Sequence, residues 1–326
     1  MAAYTLDKAD RKILAELDAD SRQGFSSMAK KTRIPLHVVA YRIKRMADEG
    51  LIKKFTTLVA LGKLGFFVYK IYFQLTGMPA EKEKLMTNYL LENKKVSWVA
   101  KSEGQWDLMI AVYARDIVEF GKIKDEIFFR YGRYVSDYAI TMVKETYVLR
   151  RSYFLEEERH SAQEELYVGG NVKCELKDGD KKLLRLLVEN SRLSAMELAE
   201  KTRLNIKTVL ARLKELKRLG VIQGYGIELD LRKIDYKYYK LCIYLSKTDE
   251  NGYKRLVDYF RGNPNVKHLI EAIGPWELEL EVEVKKDEDF YNLNRNIRNV
   301  FTDNVKRIES VVISDEMKLD FLPYEF

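Results

Sequence analysis

Two stretches of this 326-residue sequence gather side chains suited to a polyanion. The first holds Arg33, His37, Tyr41, Arg42, Lys44 and Arg45; the second holds Arg203, Lys207, Arg212 and Lys214. Guanidinium and ammonium groups at this density suit phosphate oxygens, and a His, Tyr or Lys on the same surface suits base edges. The charge distribution agrees. Residues 6–55 carry 12 Lys/Arg against 7 Asp/Glu, and residues 176–225 carry 12 against 6, while the remainder of the chain sums to −4. A total of +7 is a weak pointer by itself, but its confinement to two compact segments points more firmly to a nucleic-acid partner.

Other chemistries find no constellation. His37, His160 and His268 form no HxxxH pair and share no neighbourhood with Cys174 or Cys242, so no metal site is expected. No GxSxG, no Walker A pattern and no GxGxxG after a strand occurs, and we expect no catalytic residues and no cofactor. At 46% hydrophobic and 33% charged, with no long uncharged apolar run and no signal-like N-terminal segment, the reading is cytoplasmic, with no membrane partner.

The elements that must carry the basic residues appear twice. Shifted by 170, Leu6, Asp10, Leu14 and Leu17 fall on Leu176, Asp180, Leu184 and Leu187. Lys31-Thr32-Arg33 likewise falls on Lys201-Thr202-Arg203, and residues 6–52 match in 16 of 47 positions. Tyr69-Lys70 meets Tyr239-Lys240 and Trp106 meets Trp276 at the same offset, so each copy is expected to fold as an equivalent unit. The first fifty residues of each copy read as helix, short helix, turn and longer third helix. Val209, Leu213 and Leu216 face inward, Ser194 and Asn205 stand at N-cap positions, and Gly220 stops the third helix. That is a helix-turn-helix. VIQGYGIEL, which follows, reads as a small wing or an exit strand. The rest of each copy runs βαββαβ, a ferredoxin-like antiparallel sheet whose open face predicts a second sheet as its cover.

These patterns resemble the Lrp/AsnC family, the feast/famine regulatory proteins. LDKADRKILAEL, SRQ, MAKKTRI, YRIKRM and EGLI carry the resemblance in the first copy; SRL, LAEKTRL, ARLKEL and LGVI carry it in the second. It implies an α+β chain in the order HTH-RAM-HTH-RAM. The expected bounds are 1–55 for the first helix-turn-helix domain, 56–150 for the first ligand-binding (RAM) domain and 151–175 for an acidic, partly helical linker. The second helix-turn-helix domain then spans 176–225 and the second RAM domain 226–326. The resemblance further implies a transcription regulator acting as a covalent pseudo-dimer, with further homo-oligomerisation of the chain. Third helices enter major grooves about one helical turn apart, which assigns base contacts to His37, Tyr41 and Lys207. Phosphate contacts then fall to Arg33, Arg42, Lys44, Arg45, Arg203, Arg212 and Lys214. Gly104-Gln105-Trp106-Asp107 stands for the family's effector turn, and Gly274-Pro275-Trp276-Glu277 departs from it at the acid. An amino-acid-like effector is therefore assigned to Gly104, Asp107, Gly274 and Glu277, against the alternative that the acids cap hairpins while the tryptophans fill the core. A rival reading is a sirohaem-decarboxylase-like tetrapyrrole enzyme of the same fold, which would need clustered His and Arg.

Overall fold

The computed structural model describes residues 4–155, 166–168, 173–246, 249–323 and 326. In the first half, α1 (Lys8–Ala19), α2 (Phe25–Thr32) and α3 (Leu36–Asp48) lead into β1 (Ile52–Val59). Then come β2 (Phe67–Leu75), α4 (Ala80–Glu92), β3 (Val96–Gly104), β4 (Leu108–Ala114), α5 (Ile117–Tyr131), β5 (Val135–Val148) and a short β6 (Leu166–Val168) on β5. The second half repeats the order: α6 (Asp178–Glu189), α7 (Ala195–Thr202), α8 (Ile206–Arg218) and β7 (Ile222–Leu229). It continues through β8 (Lys237–Leu245), α9 (Glu250–Arg261), β9 (Val266–Ile273), β10 (Leu278–Val284), α10 (Asp287–Val300) and β11 (Val305–Leu319). Most of the linker, including Gly169-Gly170-Asn171 and His160, lies outside the described residues.

Local chemistry sets the helix ends. Ser194 and Glu197 exchange side-chain and backbone hydrogen bonds in a capping box at the start of α7, and Asn205 Oδ1 accepts the Thr208 N–H at 2.8 Å to start α8. Ile13, Leu14 and Leu17 on α1, and Leu183, Leu184 and Leu187 on α6, are fully buried, as helical spacing requires.

The two ferredoxin-like units do more than stack face to face. One is ordered β5-β2-β4-β3 and the other β11-β8-β10-β9; β3 then pairs with β11 and β9 with β5, which closes eight strands into a ring. Closure leaves no open edge in the ring. The registers keep the 170-residue offset, with Val143 opposite Ala272 and Ser102 opposite Ile313. α4 and α5 cover the outside of one sheet through Leu90, Phe120, Ile123 and Ile127, while Tyr72, Trp98, Trp106, Met109 and Trp276 meet inside. Gly274 lets two backbones approach at one seam: an added Cβ would stand 2.7 Å from Ile140 O and 2.9 Å from Thr141 Cγ2. Alanine there is expected to cost about 1–3 kcal/mol in urea unfolding, while alanine at Gly226, with nothing within 4 Å, leaves the midpoint almost unmoved.

The segment expected as a small wing or an exit strand is strand β7, leading out of the second head, and its partner is not foreseen from the sequence. β7 pairs with β1 of the other copy, Thr56 opposite Gly226, so a two-stranded ribbon crosses the pseudo-dyad. The reason is burial. Ile227, Leu229 and Ile234 complete the core of the first head, and Val59, Leu61 and Phe66 complete that of the second. Reciprocal contacts lock the heads further: Ser21 Oγ meets Ser191 Oγ at 2.7 Å, Arg22 donates to the carbonyls of Ser191 and Leu193, and Arg192 donates to those of Ser21 and Gln23.

Candidate nucleic-acid interface

Each third helix is preceded by a tight turn. Arg33 and Arg203 sit in it with φ of 59° and 58°, the left-handed region where a side chain is costly. Both side chains are exposed, as are His37, Tyr41 and Lys44 on α3 and Lys207 and Lys214 on α8. Leu36, Ile206 and Leu210 are about half exposed beside them, an apolar component suited to thymine methyls. Pro35 opens α3 without a side-chain cap, whereas Asn205 caps α8, so the two faces differ at their first turn.

Three residues expected at phosphates are engaged within their own heads. Arg42 donates to Asp7 at 2.6 Å and to the buried Asp10 at 2.8 Å, Arg45 pairs with Asp10 at 3.0 Å, and Arg212 pairs with Asp180 at 2.8 Å. A buried carboxylate must be neutralised. These guanidinium groups therefore brace the first helix of each head against the third, while Arg33, Arg203, Lys207 and Lys214 point outward with Lys44, which pairs with the exposed Asp48 one turn on.

The two Gly-x-Trp-acid turns occupy equivalent corners. Trp106 and Trp276 are buried in the core, as the capping alternative required. Asp107 accepts the Leu75 N–H at 2.6 Å and Glu277 the Leu245 N–H at 2.8 Å, so each acid also ties its turn to the neighbouring strand. Each nonetheless borders a cavity. About 350 Å3 lies beside Asp107 with Glu83, Lys101, Ser102 and Thr76, and about 460 Å3 beside Glu277 with Lys144, Asp249, Glu250 and Glu271. Gly104, at φ 128°, and Gly274 press against the opposite sheet, so their backbones serve the seams of the ring.

The barrel interior holds a charged group that the sequence reading passed over. Lys70 and Lys240 are buried on the dyad and share Glu279, at 2.7 and 3.0 Å; Lys240 also reaches Glu281 at 2.7 Å, and His268 Nδ1 lies 2.6 Å from the other Glu281 oxygen. A second buried network bolts the first head to the second sheet. Asp18 meets Arg151 at 2.5 Å and Lys267 at 3.1 Å, and Arg151 continues to Glu283 at 2.8 Å. Burial would raise the Asp18 carboxyl, but Lys267 and Arg151 hold it at about 2. The matching corner of the other half has Val188, Tyr113 and Phe321 and is largely apolar.

Two helix-turn-helix heads held rigidly on one dyad, each presenting a cationic third helix, define a DNA-binding transcription regulator. The family described as winged helix-turn-helix DNA-binding matches residues 6–53 and 178–223. An HTH-type transcriptional regulator of Pyrococcus horikoshii is 34% identical over 122 residues, which is 36% of this chain and 79% of the relative. Another, from Pyrococcus furiosus, is 28% identical over 148 residues, 45% of this chain and 97% of its own length. The chain belongs to the Lrp/AsnC-type family of transcription regulators, in a tandem arrangement. Among solved structures, the siroheme decarboxylase NirDL superposes over 98% of this chain and 95% of its own with a TM-score of 0.62 at 16% identity, a likeness of fold. Among the described residues, no group of His, Cys, Asp or Glu has metal-ligand geometry and no helix is long and apolar enough to cross a membrane.

Proposed function

We propose that this chain reads two unlike half-sites in double-stranded DNA and that a small amino-acid-like effector tunes the affinity. The observation that carries the reading is the pair of exposed third helices on heads locked together across the dyad, with His37 and Tyr41 on one and Lys207 and Leu210 on the other. His37, Tyr41 and Lys207 are assigned to base edges, and Arg33, Lys44, Arg203 and Lys214 to phosphates. Selection from random duplexes at fixed salt is the test. Unlike faces are expected to return a site whose halves differ, and a symmetric consensus overturns the assignment.

For the effector, the cavity beside Asp107 holds both signs of charge: Lys101 and Glu83 pair with each other at 2.5 Å, and a zwitterion would bind by parting them, its carboxylate to Lys101 and its ammonium to Glu83 or Asp107. Binding there would bias the seam at Gly104, and by linkage the heads above it.

A second reading, a tetrapyrrole enzyme, draws on the whole-chain likeness to NirDL and on His268 beside Glu281 and Lys70 in the interior. The interior space of about 170 Å3 argues against it, being sized for one ring and not for a four-ring macrocycle. A Soret band on mixing the protein with sirohaem or haem would favour the enzyme.

A further inference from the structure

We infer a further small-molecule site, separate from the Asp107 and Glu277 corners: a cavity on the pseudo-dyad that takes a compact amphipathic amine, its ring between Trp98 and Phe321 and its ammonium against Glu316. The cavity lies between the barrel interior and the first head's exit turn, and both halves line it. Its volume is about 170 Å3. Protein cavities near 150 Å3 accommodate a benzene ring, so the space fits one ring with a short side arm. Trp98, Ala111, Tyr113, Ile270, Leu319 and Phe321 make the wall apolar. A smaller void of about 70 Å3 adjoins it under the β1–β7 ribbon and shares Tyr238, His268, Glu316 and Phe321.

The charges on the wall select the ligand. Lys70 is matched by Glu279, Lys144 by Glu271, and Glu281 by Lys240 and His268. Glu316 stands apart. Among the described residues its hydrogen-bond donor is the Trp98 indole at 2.9 Å, and no cation pairs with it. Burial pushes its carboxyl up to about 7 against the Trp98 hydrogen bond; Glu281 and Glu228 add to the rise and Lys53 opposes it. A carboxylate ligand would meet Glu316 with no unmatched cation among the described wall residues to receive it. A neutral ring would leave the Glu316 proton in place. An ammonium group takes over that proton's role, so binding converts the carboxylic acid to the carboxylate and releases one proton to solvent.

Isothermal titration of the full chain with 2-phenylethylamine at pH 6.5, repeated in two buffers of different ionisation enthalpy, tests this. We expect saturable binding with one amine per chain, release of on the order of one proton, and phenylacetate at least about tenfold weaker. Glu316→Gln is expected to weaken the amine by about tenfold or more and to abolish proton release. Ala111→Leu, which fills the cavity, is expected to weaken it as well. Preference for phenylacetate, binding without proton release in the unmodified chain, or affinity untouched by Ala111→Leu would each overturn the assignment. No outcome depends on DNA, so failure here leaves the regulator reading standing.

Discussion

Leucine in place of Glu279 is expected to lower the unfolding free energy by about 3–5 kcal/mol, read as a fall in the urea midpoint of the tryptophan signal. Glu279 is fully buried, and its partners Lys70, Lys240, Thr141 and Trp276 are buried too. One oxygen accepts from Lys70 at 2.7 Å and Lys240 at 3.0 Å; the other accepts from Thr141 and the Trp276 indole at 3.2 Å. Burial alone would raise this carboxyl, yet Lys240 and Lys70 hold it well below the usual carboxylate range. Removing it leaves Lys240 with Glu281 but strands the Lys70 ammonium, whose next carboxylate is 3.9 Å away. The double replacement Lys70→Met with Glu279→Leu takes out a complete pair, and it should recover most of the loss because an apolar pair of similar volume often replaces a buried ion pair without penalty. A double variant no more stable than Glu279→Leu alone would show that the two Lys-Glu contacts do not act as a unit.

The same residue shows where sequence reading stopped. In β10 the order LELEVEV looks like a strand with one wet face, because alternation is the mark of a half-exposed strand. The structure buries both faces: Leu278, Leu280 and Val282 under α9 and α10, and Glu279, Glu281 and Glu283 toward the dyad. The information was present in the repeat. The first copy has LMIAVYA at the matching positions, apolar on both faces, which is what a doubly buried strand looks like. Reading one copy through the other would have placed the glutamates inside and required cations for them, and Lys70 and Lys240 were already visible as a matched pair. The heads were legible because their signals are local: apolar spacing, the Asn205 cap and the glycine at each helix end. The β1–β7 ribbon and the closed ring were not, because pairing partners more than a hundred residues apart leave no mark in either segment alone. Arg42 and Arg212 carry a second role that was also legible in the repeat. Their recurrence at the same offset as Asp10 and Asp180 signals a brace within each head as readily as a phosphate contact.

Glycine at both Arg33 and Arg203 is expected to weaken binding to every duplex alike while leaving the fold within about 1 kcal/mol of its starting stability. Both residues hold a left-handed backbone that glycine adopts freely, so the substitution relieves strain as it removes a charge. Neither guanidinium is buried, and the two stand at the entry to α3 and α8, where a helix-turn-helix meets the DNA backbone. An arginine placed where glycine costs less must be explained by what its side chain does, and phosphate neutralisation is the role their exposure supports. Each lost contact lowers the slope of log affinity against log salt by about 1, so the double variant should lose about 2 from that slope while the selected consensus stays unchanged. Lys207→Ala provides the contrast: as a base reader it should alter preference within one half-site only and leave the other half unaffected. Mobility-shift titrations of the double variant at several salt concentrations, with thermal unfolding measured on the same samples, separate the two effects. An unchanged salt slope in a folded double variant would show that these arginines do not reach phosphate, and the cationic face of each head would then have to be rebuilt around Lys44 and Lys214.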